Sequence, residues 1–480
     1  MRMPPAPSFL LLVALAAATH AAQPPAWPEF RGPGRSGVRL DASFPVRFAP
    51  GTNQLWSRTV PGGHSSPILW NNLVLLTGAE SNRLVVLALD AATGTPRWRR
   101  ELDPGKAEAG SRLSHPATAT PVTDGERLIT YFAPFGLAAF SQDGTPLWTH
   151  PLPTPVTGHG ASSSPVIAGD LVLQLCDQDI GSYLLALDRA TGKPRWRTER
   201  PEFRRGFSTP LPWPPRNPDS VIVAGTLRLA AYQLRDGAEL WTVRGLPNEL
   251  VASPVANNDT ILVAGWTHGS GVPRMPTWES VSGSGDANAD GRLTREEATA
   301  GPARQHFHYI DANRDGQVDR AEYETIARIF NESKNVAMAV RPGGRGDVTD
   351  THVAWQVQRG LPYVPCPLVY DGHVYLMKNG GLLSCLDADT GEFRYQEERV
   401  GALGDYYSSP VAAGDRLLAI SQAGVAVVLK TGPNFEVLQR NPLGEEVLAT
   451  PALGHDTLFV RTLTRLFAFR EGAMPHATDR

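Results

Sequence analysis

The sequence predicts an all-β fold: an eight-bladed β-propeller of four-stranded antiparallel blades, with a small α-helical insertion in blade five. Three observations carry the prediction. First, a small residue followed by proline recurs ahead of an apolar strand, at Ser66-Pro67, Thr120-Pro121, Ser164-Pro165, Thr209-Pro210, Ser253-Pro254, Cys366-Pro367, Ser409-Pro410 and Thr450-Pro451. The prolines stand 54, 44, 45, 44, 113, 43 and 41 residues apart, so a repeat of about 44 residues is read eight times with one long insertion. Second, Leu89-Asp90-Ala91-Ala92-Thr93-Gly94-Thr95-Pro96-Arg97-Trp98 returns almost unchanged from Leu187 to Trp196, and degenerate copies end at Trp148, Trp241, Trp355 and Tyr395. Third, the last unit stops without a Trp strand, while Gln54-Leu55-Trp56-Ser57 precedes the first proline without inner strands of its own.

Taken along the chain, the first element is an address. Arg2 precedes the apolar run Phe9 to Ala18, which gives way to Thr19-His20-Ala21-Ala22. That pattern predicts a secretory signal peptide over residues 1–22 and an exported protein, periplasmic or secreted. No cysteine follows the run, so a lipid anchor is not expected, and no second apolar run is long enough to predict a transmembrane segment. The expected divisions are then 23–266 for the closing strand and blades one to five, 267–335 for the insertion, 336–472 for the remaining blades and 473–480 for a tail.

Each repeat reads as a strand, a turn such as Asp371-Gly372, a second strand, a third ending in Leu-x-Asp, a Thr-Gly turn and a strand carrying Trp. The composition agrees: 46 glycines and 42 prolines in 480 residues demand many turns, hence short strands. Hydrophobic residues at 41% and charged residues at 19% give a globular core. A net charge of −3, from 45 basic and 48 acidic residues, argues against a nucleic-acid partner. Three cysteines, none adjacent or CxxC-spaced, exclude a disulfide framework and a zinc ribbon. They read as small core residues. In the last blade, the strand at Leu55 to Thr59 should pair with the sheet containing Thr457 to Val460 and close the ring, removing its free edges.

The A-x-D-x-x-T-G-x-x-x-W pattern resembles the repeats of the pyrroloquinoline-quinone (PQQ) propeller superfamily, the quinoprotein alcohol dehydrogenase-like fold. Trp27-Pro28-Glu29-Phe30-Arg31-Gly32-Pro33 resembles the opening of exported PQQ-repeat proteins. The resemblance implies that Trp56, Trp98, Trp148, Trp196, Trp241 and Trp355, with the turn glycines, dock neighbouring blades. The repeat specifies a fold and leaves function open.

The insertion carries the most specific chemistry. Residues 286–297 and 311–322 each fit the twelve-residue D-x-[DN]-x-[DN]-G-x5-E loop of an EF-hand. Calcium takes six to eight hard oxygens, offered here by Asp286, Asn288, Asp290, Arg292 through its carbonyl, Thr294 and Glu297, and again by Asp311, Asn313, Asp315, Gln317 through its carbonyl, Asp319 and Glu322. Leu293 and Val318, at position 8 of each loop, would join the loops by a short ladder. Loop 1 has three ligand carboxylates and is entered through Ser282-Gly283-Ser284-Gly285, a weak end for a helix. Loop 2 has four and is entered by residues 303–310, so it is expected to bind more tightly.

Thr260 to Ala264 and Val336 to Val340 read as the second and third strands of blade five, so the insertion replaces the loop between them. That loop emerges on the face carrying the crossovers between blades. Residues just before each repeat proline lie on those crossovers and make a candidate ligand funnel: His64, His115, His159, Arg205, Phe207, Glu249, Tyr363, Asp405, Tyr406 and Tyr407. No catalytic order of residues is recoverable. The expected function is therefore an exported, monomeric calcium-binding propeller that holds a small molecule, glycan or protein on its funnel face. Two alternatives follow from the resemblance. One is a PQQ- and calcium-dependent dehydrogenase, disfavoured because such enzymes carry a vicinal Cys-Cys pair absent here. The other is a scaffold similar to the outer-membrane-assembly propeller.

Overall fold

A computed structural model describes residues 27–105, 115–268, 275–298 and 301–474, with Pro302 described by its backbone alone. The expected signal peptide therefore lies outside the described residues. Eight sheets form the ring, and all except one hold four strands.

In blade 1 the strands are Ile68–Trp70, Leu73–Glu80, Arg83–Asp90 and Pro96–Leu102. Each pairs antiparallel with the next. The three inner strands are almost wholly buried, because every blade is covered on both faces by its neighbours; the outermost alternates toward solvent. This explains why the inner strands read as unbroken apolar runs, and only the Trp strand shows a period of two. The ring closes as expected: Gln54–Thr59 pairs antiparallel with Arg465–Phe469 and completes the blade begun by Ala452–Leu453 and Leu458–Arg461.

The L-D-x-x-T-G turn is built by its aspartate. Asp90 Oδ1 accepts the N–H groups of Ala92 and Thr93 and the Thr93 hydroxyl, while Oδ2 holds Arg97 at 2.6 Å. Asp188 and Asp387 repeat the arrangement with Arg195 and Arg394. The glycine that follows lies flat against the Trp of the preceding blade. A Cβ at Gly192 would stand 2.5 Å from the Trp148 ring, and one at Gly94 2.6 Å from Trp56. The indole N–H of Trp56, Trp98, Trp148, Trp196 and Trp355 donates to a carbonyl of the turn it covers, as Trp148 does to Arg189 at 3.1 Å. Tyr395, the degenerate copy, instead meets Phe435 of blade 7 edge-on.

Blade 5 departs from the repeat. Strands Thr260–Gly265 and Val336–Val340 pair directly, so the inserted residues leave and rejoin the blade between its second and third strands. The blade also lacks a Thr-Gly turn. In its place residues 341–352 swing over blade 4, where Gly346–Asp347 adds a parallel fifth strand to Glu239–Arg244. Trp241 is covered by that excursion and not by a glycine turn, a variation the sequence pattern does not announce.

The inserted residues build their own core from Trp278, Leu293, Phe307, Ile310, Val318, Tyr323 and Ile326. Helices span Trp278–Gly285, Gly301–Gln305, Phe307–Ile310 and Arg320–Glu332. The first runs through the Ser-Gly-Ser-Gly stretch expected to end it poorly. Its Trp278 ring packs 5.5 Å from that of Tyr323. Burial of that pair outweighs the weak local propensity. Leu227, from a hairpin of blade 4, joins this core, which seats the insertion on the rim of the ring.

Candidate functional site

The eight residues preceding the repeat prolines form a closed ring of hydrogen bonds around the propeller axis. Thr120 Oγ1 accepts the backbone N–H of Ser66 at 3.0 Å, Ser164 that of Thr120 at 3.0 Å, Thr209 that of Ser164 at 3.2 Å and Ser253 that of Thr209 at 2.8 Å. Cys366 Sγ accepts from Ser253 at 3.2 Å, Ser409 from Cys366 at 3.1 Å, Thr450 from Ser409 at 3.0 Å, and Ser66 closes the circuit with Thr450 at 3.0 Å. A buried N–H needs a partner, and the proline that follows offers no donor of its own. A short side chain with an acceptor atom is therefore what this position requires. The motif serves neighbouring blades as much as its own strand. Cys366 belongs to this ring, so the simple core reading holds only for Cys176 and Cys385, both buried thiols.

The ring surrounds a cavity of about 200 Å³. His64, His159, Phe207, Glu249, Tyr363 and Tyr407 line it on the crossover side, and Phe30 lines it from the other. Phe30 arrives on the N-terminal segment, which crosses the ring from Trp27, bridged to Leu69, to Val38, bridged to Ala412. Sequence reasoning missed Phe30 and the ring hydroxyls. The recurring Ser/Thr before proline was the available signal for the latter.

The other four funnel residues are placed differently. His115 packs behind His64, ring centres 5.4 Å apart, and its Nδ1 accepts the Ala117 N–H. Burial, followed for His64 by the neighbouring His115, and the Arg461 guanidinium lower both imidazoles to about 4. Among the described residues Arg461 has no carboxylate partner; it is fully buried and donates to the Ser65, Thr77 and Pro61 carbonyls, which fixes the crossover carrying His64. Arg205 is held by Asp179 at 2.6 Å and stacks on Tyr309 of the insertion at 4.5 Å, joining insertion to crossover. Asp405 is exposed on the blade 6–7 crossover. Tyr406 is 0% exposed and its hydroxyl donates to the Ala402 carbonyl at 2.8 Å. It belongs to the core and not the funnel, because successive side chains of an extended crossover point to opposite sides. Among the lining groups, Glu249 is the carboxyl; burial raises its pKa, against the pull of His159 and Arg205.

The two acidic loops lie beyond the rim, joined by a two-stranded ladder with Leu293 opposite Val318. Their backbones match: Ala289 and Arg314 at position 4 and Gly291 and Gly316 at position 6 all take positive φ, between 57° and 81°. Asn288 and Asn313 accept the N–H groups of Asp290 and Asp315 at 2.9 and 2.8 Å. Arg292 and Gln317, at position 7, bond to one another across the ladder through their side chains at 3.0 Å. Thr294 Oγ1 donates to Glu297 at 2.9 Å. Glu322 accepts from Ala312, Asn313 and Asp319, and Asp319 accepts from Glu322 in return, a capping box on helix Arg320–Glu332. Asp286 accepts from Gly291 at 2.9 Å, as Asp311 Oδ2 does from Gly316 at 3.1 Å. Asp311 is 8% exposed and its Oδ1 is buried without a partner. Among the described residues no three His, Cys, Asp or Glu side chains converge to hold a metal on their own. The donors of these loops include asparagine and backbone oxygens as well.

A comparison with curated proteins gives no match. Among solved structures, BamB from Moraxella catarrhalis superposes with a TM-score of 0.56 at 12% identity, covering 87% of this chain and 99% of that one. Quinohemoprotein alcohol dehydrogenase from Comamonas testosteroni gives 0.57 at 12% identity, covering 96% and 83%. The computationally designed Ika8 protein gives 0.55 at 10%, covering 87% and 99%. At such identities the likeness is one of fold. The family model described as outer membrane protein assembly factor BamB matches residues 47–199, 180–302 and 310–472, and by that span of propeller repeats the chain belongs to this PQQ-like family.

Proposed function

We propose that this protein is an exported calcium-binding propeller that holds a ligand in the pocket on its axis, with an inserted EF-hand pair on the rim. The buried, unpartnered Asp311 Oδ1 carries the calcium reading: a carboxylate oxygen out of water without a donor asks for a cation. The residues fit calcium: Asp286, Asn288, Asp290 and Glu297 in one loop, and Asp311, Asn313, Asp315 and Glu322 in the other, would supply hard oxygens, with carbonyls of Arg292 and Gln317. When bound, the ion would neutralise these carboxylates and fix the loops. The chain's own part is to hold the two loops in register through Leu293 and Val318.

The pocket supports a binding role because aromatic, hydroxyl and carboxyl groups from several blades meet in one cavity. PQQ does not fit on the feature the dehydrogenase resemblance implies, since Cys176, Cys366 and Cys385 are free and lie in blades 3, 6 and 6 without a vicinal pair. The family's name supports a protein partner as a second reading of the same face. Among the described residues no helix is long and apolar enough to cross a membrane. Calcium titration by calorimetry tests the first half of the reading: heat for up to two sites is expected, and its absence in the metal-stripped protein would overturn it.

A further inference from the structure

Seven members of the axial ring carry hydroxyls, and each oxygen accepts one backbone N–H. Among the described residues none of the seven donates to a protein acceptor, and all line the cavity. A circle of O–H donors therefore faces the channel, and each hydroxyl can still donate once. The matching ligand carries acceptor oxygens around its whole circumference.

Two further features narrow the class. Aromatic residues line the cavity, Phe30 from the N-terminal segment and Phe207, Tyr363 and Tyr407 from the crossovers, which favours a flat or ring-shaped body with an apolar face. Among the described residues the lining holds no lysine or arginine, and its imidazoles are His64 and His159, the latter close enough to Glu249 to pull its pKa down. Arg205 is engaged by Asp179, while Arg461 and Arg31 are fully buried and donate to backbone carbonyls. The charged group on the wall is Glu249. A multiply anionic ligand would sit against that carboxyl with no lysine or arginine on the wall to pair with it. The cavity of about 200 Å³ lies below the usual range of drug-sized ligand pockets, roughly 300–1,000 Å³, which favours a small ligand.

We infer that the pocket binds one ring of a neutral sugar, lying among the aromatic side chains, its oxygens accepting from the hydroxyl ring and one of its hydroxyls donating to Glu249. The inference rests on the reading of this pocket as a ligand site and names its ligand class. The test uses the mature, calcium-loaded protein and saturation-transfer NMR backed by calorimetry. The probes are methyl glucoside, methyl galactoside, methyl N-acetylglucosaminide and their β-linked disaccharides, beside citrate, PQQ and spermidine. At least one neutral pyranoside should bind, with Phe207→Ala and Tyr407→Ala each weakening it tenfold or more. Glu249→Gln, which keeps shape and hydrogen bonding, should weaken it less. Circular dichroism establishes that the variants remain folded. A methyl glycoside binding as well as the disaccharide identifies the free ring as sufficient; tighter binding of the disaccharide identifies the end of a longer glycan. If citrate, PQQ or spermidine binds instead, and Phe207→Ala abolishes it, the pocket stands and the sugar class falls. If no probe binds, the pocket reading falls with it.

Discussion

Gly192 and Gly169 both adopt positive φ, yet only the first is pressed against a neighbour. A Cβ at Gly192 meets Trp148 at 2.5 Å, while one at Gly169 meets nothing within 4 Å. Gly169→Ala should therefore cost about 1 kcal/mol, the conformational term alone. Gly192→Ala should cost roughly 2–4 kcal/mol, because the blade interface must also move apart. Denaturant midpoints resolve the two, and equal losses would contradict blade docking through this contact. At the two acidic loops, Glu322→Gln should weaken the proposed calcium binding roughly tenfold or more, and more than Glu297→Gln. Loop 2 has the additional carboxylate Asp319 and the buried Asp311, and its glutamate begins an amphipathic helix of 13 residues. Titration calorimetry on both variants gives the ranking directly, and equal losses would refute it.

The insertion is tethered to blade 5 by its two ends, where Asn335 brackets Thr267 through N–H and C=O. Its own core is separate from the sheets apart from Leu227. Chelation should then leave the β-sheet circular dichroism intact and open protease cleavage within residues 267–335, since calcium stabilises only the state that binds it. Cooperative loss of the whole β signal on chelation would mean that the ion supports the ring itself. Elements differed in how plainly the sequence announced them. The blade strands were legible because turn chemistry recurs along the chain, with Asp90, Asp188 and Asp387 each accepting from the Thr of the Thr-Gly turn and holding an arginine. The helix through Ser282 to Gly285 was not, because its stability comes from Trp278 against Tyr323, a contact between distant residues. The excursion over blade 4 was hidden for the same reason. The pocket was half legible: its crossover residues could be found from the proline register, but whether a side chain faces the channel, as Tyr407 does, or the core, as Tyr406 does, depends on a backbone direction that spacing alone does not encode.

Across the whole molecule, the His64–His115 pair makes stability depend on pH. Both imidazoles are lowered from 6.5 to about 4 in the folded state. Between those values the unfolded chain binds more protons than the folded one. The stabilisation is thus complete above pH 6.5 and is lost as pH falls toward 4, at no more than about 1.4 kcal/mol per pH unit for each histidine. Replacing both by glutamine should flatten the thermal-stability profile across that window, measured against the parent protein in the same buffers. An unchanged slope would show that neither histidine is held neutral.

Ring closure also sets an order in time. Gln54 pairs with Phe469, and Asn53 accepts the backbone N–H of Arg470 at 2.8 Å. The earliest strand of the chain therefore waits for one of the last to be synthesised. Until residues 465–469 emerge, a nascent chain carries seven potential blades and a first strand with an unmated edge, held only by Trp56 against the Gly94 turn of blade 1. A ribosome that stalls within the last blade therefore leaves a product whose first strand remains an adhesive end.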